Sequence, residues 1–139
     1  MLAAAVDAAA GMDAAPELLA VTVLTSMNQA QIAAIGVARP PAEQVDLLAR
    51  MGLEAGFRGF VCSPREVAAV RSLTGPRGVL VIPGIRPAAA SAGDQKRIAT
   101  PADALRMGAS YLVVGRPITQ APDPAKAVEA ILDEMAGAV

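Results

Sequence analysis

Apolar residues in this chain gather into four short runs, at residues 18–24, 59–62, 79–82 and 111–114, instead of alternating with polar ones. Each run is about one strand long. A strand wetted on one side alternates, so continuous runs predict strands covered on both faces, as in a parallel sheet flanked by helices. The intervening stretches carry helix start signals. Ser63-Pro64-Arg65-Glu66 reads as a capping box, with Ser63 as N-cap, Pro64 at the first helical position and Glu66 reaching back. Thr100-Pro101-Ala102-Asp103 predicts a helix through Met107, and Asp123-Pro124 one through Met135. Pro40-Pro41 predicts a helix to Met51, after a shorter helical piece over residues 28–35.

The order is one alanine-rich helix and then four βα units, which implies an α/β fold with a parallel sheet and right-handed crossovers. A complete (β/α)8 TIM barrel needs eight such units and typically about 250 residues. The 139 residues supply half of that, so the expectation is one domain over residues 1–139 that forms a partial barrel. Four strands alone leave two unpaired edges and an apolar inner face. Self-association, or pairing with a missing half, should follow.

Composition narrows the chemistry. Hydrophobic residues make up 54% of the chain, yet there are only two Phe, one Tyr and no Trp, so aliphatic residues must build the core. The net charge of −1 gives no electrostatic reason to expect nucleic acid or an anionic membrane as partner. The absence of His removes the commonest general base and metal ligand. The single cysteine, Cys62, forbids an internal disulfide and agrees with a reducing, cytoplasmic setting; it reads as a buried strand-end thiol. The first ten residues lack a basic leader, carry Asp7 and are too short to span a bilayer, so a soluble chain is expected.

In parallel βα architectures function collects where strands end. Those positions hold Thr25 and Ser26, then Ser63, then Pro83-Gly84-Ile85-Arg86, then Gly115-Arg116-Pro117. Arg86 and Arg116 each sit just beyond a buried strand. A guanidinium fork beside a glycine backbone suits a phosphate. The plainer alternative is that both arginines pair with surface carboxylates. Residues 87–99 are long for a βα connection, and the small and polar residues at their centre suit a closing flap in which Gln95 supplies an amide donor; a solvated loop is the alternative.

Four segments, residues 21–27 (VTVLTSM), 81–87 (VIPGIRP), 93–97 (GDQKR) and 112–119 (LVVGRPIT), resemble successive motifs of the bacterial orotidine 5′-phosphate decarboxylases, in order and at similar spacing. The resemblance implies that Arg116 and the Gly115 backbone hold a nucleotide 5′-phosphate, with Gln95 reaching it from the flap. It implies further that Arg86 and Thr25 contact the ligand, that Ser26 serves the pyrimidine edge and that Pro83 lines the base pocket. The family removes CO2 from C6 of orotidine 5′-monophosphate to give UMP, without metal or organic cofactor, through a Lys/Asp array built on an Asp-x-Lys-x-x-Asp motif. That motif is absent here: the only lysines are Lys96 and Lys126, and neither has the required aspartates. No catalytic residue is therefore assigned, and the isolated chain is expected to be inactive, a C-terminal half-barrel. The resemblance also implies a homodimer completed across its interface by an aspartate outside this sequence. A non-catalytic module that binds a phosphorylated nucleotide is the alternative. A tryptophan- or histidine-pathway barrel is disfavoured by the Gly-Asp-Gln flap and the Leu-Thr-Ser strand end.

Overall fold

Parallel strands cannot be joined by tight turns, and each strand-to-strand connection here is a helical crossover. The computed structural model describes residues 1–87 and 97–138. Helix α1 (Leu2–Ala10) leads to strand β1 (Leu19–Val21), then helices α2 (Gln29–Ala34) and α3 (Pro41–Glu54). Strand β2 (Gly59–Val61), a 3-10 turn (Pro64–Glu66) and α4 (Val67–Thr74) follow, then β3 (Val79–Ile82), α5 (Pro101–Arg106) and β4 (Tyr111–Leu112). The chain finishes with α6 (Arg116–Thr119) and α7 (Pro124–Ala136). The four strands form one sheet in sequence order, every neighbouring pair parallel. This is the α/β arrangement, part of a (β/α)8 barrel, that the four runs predict.

Register assigns the two faces. Ala20, Phe60 and Leu80 form one row, and Val21, Val61, Val81 and Tyr111 the next, on the opposite face. Phe60, Leu80 and Ile82 have no exposure and pack with Val45 and Ala49 of α3, Val67 and Val70 of α4, and Ala104 of α5. The other face is open: Val21 is 58% exposed, Tyr111 63% and Val113 49%. Among the described residues, then, helices cover one face only. The expectation of cover on both faces holds for half the sheet.

Several boundaries differ from the sequence reading for identifiable reasons. β1 spans three residues, not the seven of its apolar run. Thr22 directs both its N–H (3.1 Å) and its hydroxyl (2.8 Å) to the Val61 carbonyl, and beyond it the Val23 and Leu24 carbonyls accept from the Arg97 side chain instead of a strand ladder. β2 stops at Val61, one residue short, and β4 at Leu112, although the Val113 N–H still reaches the Ile82 carbonyl at 2.9 Å. The capping box at Ser63 does not form. Its hydroxyl instead donates to the Glu66 carboxylate, and the helix opens as a 3-10 turn. The caps at Thr100 and Asp123 are made, each side chain accepting the N–H three residues on at 3.2 Å. α3 continues past the expected end at Met51 to Glu54, and Met51 is 45% exposed.

Candidate functional site

All four strands run the same way, so the residues that follow them gather along one edge of the sheet. Thr25 and Ser26 follow β1, Ser63 follows β2, Pro83 to Arg86 follow β3, and Gly115-Arg116 follow β4. Neighbouring strands lie roughly 4.8 Å apart. Arg86 and Arg116 therefore issue from adjacent strands, whereas Thr25 and Ser26 start two strands from β3. Six of the seven binding residues expected from the sequence thus share this edge: Thr25, Ser26, Pro83, Arg86, Gly115 and Arg116. Gln95 lies outside the described residues, as does the centre of the expected flap.

The two arginines are held differently. Gly84, at φ +81°, takes the left-handed conformation that other residues avoid and turns the chain after β3. Ile85 is thereby sunk to zero exposure, and Arg86 follows it inward, 7% exposed. The Arg86 Nη1 donates to the Ile85 carbonyl at 2.7 Å, and its backbone N–H to the Ala99 carbonyl at 3.0 Å. This burial is not that of an exposed surface ion pair, the plainer reading of an arginine here. Arg116 is exposed, at the first position of α6, with Gly115 as N-cap. A Cβ added at Gly115 would meet nothing within 4 Å. No described neighbour demands a glycine there, and its backbone is open to close approach by a ligand. Thr25 is buried at 8% exposure, Ser26 and Pro83 half-buried.

A third arginine organises the same edge: Arg97, the last residue of the polar stretch expected to form the flap. Arg97 is 5% exposed. Its Nη1 pairs with Glu66 Oε1 at 2.7 Å, and its Nη2 donates to the Val23 carbonyl at 3.1 Å and the Leu24 carbonyl at 2.9 Å. The other Glu66 oxygen accepts from the Ser63 hydroxyl. No local signal announces this network, because its partners lie 31 and 74 residues from Arg97. Beside it, burial and then the Glu66 carboxylate push the Cys62 thiol up to about 12, with Arg97 pulling the other way. Cys62 is the buried strand-end thiol expected of it.

The edge therefore offers cationic and backbone donors for an anion, and hydroxyls from Thr25 and Ser26. It offers no lysine among the described residues: Lys126 lies on α7, paired with Asp123 at 3.4 Å, and Lys96 is outside the described residues. No cluster of three or more His, Cys, Asp or Glu among the described residues is arranged to hold a metal ion. No helix among them is long and apolar enough to cross a membrane.

A sheet of four βα units with polar residues collected beyond the strand ends defines a partial (β/α)8 barrel. The family model described as orotidine 5′-phosphate decarboxylase / HUMPS matches residues 1–131, and the chain belongs to that family. It is 58% identical over 114 residues to the orotidine 5′-phosphate decarboxylase of Anaeromyxobacter sp. (strain K), covering 82% of this chain and 50% of the relative. The enzyme of that name from Nitrosococcus oceani is 51% identical over 135 residues, 97% of this chain and 58% of the relative. The crystal structure of orotidine 5′-phosphate decarboxylase from Lactobacillus acidophilus superposes with a TM-score of 0.77 at 39% identity, covering 97% of this chain and 58% of that one. The chain spans about half the length of the curated relatives it matches.

Proposed function

We propose that this chain is the nucleotide-gripping half of an orotidine 5′-phosphate decarboxylase, a carboxy-lyase of pyrimidine biosynthesis acting in the cytoplasm, and that by itself it binds nucleotide without turnover. The observation that carries the reading is the gathering of Arg86, Gly115 and Arg116 beyond adjacent strands of a sheet whose family decarboxylates orotidine 5′-phosphate. In this reading Arg116 and the Gly115 N–H take the 5′-phosphate, Thr25, Ser26 and Pro83 take the base side, and Arg86 and Gln95 complete the grip. Binding the part of the substrate that does not react can drive closure and favour the chemical step elsewhere. The step itself, loss of CO2 from C6 and protonation there, needs a proton donor that these residues do not supply. The open apolar face calls for a second segment, either another copy or the N-terminal half of a barrel.

The test is ligand-induced stabilisation. UMP raises the melting temperature of the intact chain, and Arg116→Ala, measured against its own ligand-free melting temperature, abolishes the shift. No shift with the unaltered chain overturns the binding reading. Turnover of orotidine 5′-phosphate by the purified chain overturns the non-catalytic half of it.

A further inference from the structure

Arg97 lies after β3 in sequence, yet it bonds to the ends of β1 and of the β2 turn. Its two terminal nitrogens divide the work: Nη1 faces Glu66, and Nη2 is shared by the carbonyls of Val23 and Leu24. These carbonyls belong to the two residues immediately before Thr25 and Ser26. Two residues beyond Arg97, the Ala99 carbonyl accepts the Arg86 N–H at 3.0 Å, and Ile85 and Ala99 form a parallel bridge. The short stretch from Arg97 to Ala99 therefore ties three strand ends together. If stability alone were at stake, an apolar pair would serve about as well as a buried ion pair, whose desolvation offsets most of its attraction. The fork supplies direction instead: it fixes where two particular carbonyls point.

We propose that Arg97 is a positioning residue, which sets the base-side contacts Thr25 and Ser26 relative to Arg86 by clamping the end of β1 to Glu66. The proposal rests on the reading of Thr25 and Ser26 as ligand contacts given above. A lysine at position 97 keeps the charge and can reach Glu66 or the β1 carbonyls, but one nitrogen cannot hold both in the planar arrangement of the fork. Arg116 and Gly115 issue from β4, so their hold on the phosphate does not pass through this clamp.

The experiment compares UMP with ribose 5-phosphate, which lacks the base, by titration calorimetry on the intact chain. For Arg97→Lys, affinity for UMP falls about tenfold, the loss of one well-placed hydrogen bond, while affinity for ribose 5-phosphate falls much less. Equal losses for both ligands mark a merely structural role and overturn the proposal, as does an unchanged preference for UMP. If the unaltered chain itself shows no preference for UMP over ribose 5-phosphate, the base-side reading of Thr25 and Ser26 fails first and takes the proposal with it. Should Arg97→Lys not fold, Glu66→Gln keeps an acceptor for the guanidinium while removing the charge. In that variant the amide resonances of Thr25 and Ser26 shift and those of Gly115 and Arg116 stay in place; the reverse pattern, or none, overturns the clamp.

Discussion

Arg71 donates through both Nε (3.0 Å) and Nη2 (2.7 Å) to the carbonyl of Gly108, 37 residues away. The same guanidinium reaches the Gly75 and Gly78 carbonyls at 2.8 and 2.7 Å and Ser110 Oγ at 3.0 Å. It thereby joins the end of α4 to the starts of β3 and β4, at the edge of the sheet opposite the candidate site. In barrels that opposite end serves stability. Arg71→Met keeps the aliphatic stem and leaves several carbonyls without their donor, so the chain loses about 2–3 kcal/mol. Urea denaturation measures the loss. The UMP-induced stabilisation of the folded chain is expected to be unaltered.

Cys62 makes a second prediction. The thiol is 1% exposed, and burial followed by the Glu66 carboxylate raises it from an ordinary value near 9 to about 12. A raised folded value means that the unfolded chain gives up this proton first. The contribution is therefore full below pH 9 and is lost as pH climbs from 9 through 12, amounting to up to about 4 kcal/mol. Denaturation midpoints followed across that window fall more steeply for the unaltered chain than for Cys62→Ala, in which the alkaline slope due to the thiol is gone. At pH 8 the native thiol resists alkylation, and urea releases it.

Gly52 lies inside α3, where alanine would ordinarily stabilise a helix by about 1 kcal/mol. Here a Cβ would stand 2.6 Å from an edge carbon of the Phe60 ring, and Phe60 has no exposure. Overpacking wins over propensity. Gly52→Ala destabilises by about 1–3 kcal/mol, read from the urea midpoint, and a compensating Phe60→Leu in the same chain recovers part of it. A stabilised Gly52→Ala variant would mean that α3 sits farther from β2 than described.

How far these features could be read in advance depended on the sequence distance of the partners. The caps at Thr100 and Asp123 are three-residue affairs, and they form as read. Ser63 and Glu66 carry the same local signature, but Glu66 is bound to Arg97 from beyond β3, and that distant partner rearranges the box into a side-chain pair. Arg97 itself sits in a polar stretch next to Lys96, yet it is among the most buried charges of the described residues. The strand ends were legible because hydrophobic runs mark them, which is why Thr25, Ser26, Pro83, Arg86, Gly115 and Arg116 could be placed beyond them. What the runs could not reveal is that, among the described residues, only one sheet face is covered.

That open face yields the last prediction. Val21 and Tyr111 project from the two edge strands in the same row as Val61 and Val81, and Val113 continues the row's face beyond β4. Beside β4 lies an apolar hollow of about 350 Å³ whose lining includes Tyr111, Leu112, Ile118 and Leu132. Contiguous apolar surface next to two unpaired strand edges favours association. Sedimentation velocity on the purified chain should show species larger than the monomer, growing with concentration. Tyr111→Lys and Val21→Lys together should return it to monomer with its helical circular dichroism intact, since both side chains are more than half exposed and contribute little to the helix-covered core. An unaltered chain that stays monomeric at high concentration would mean that this face tolerates water without a covering segment.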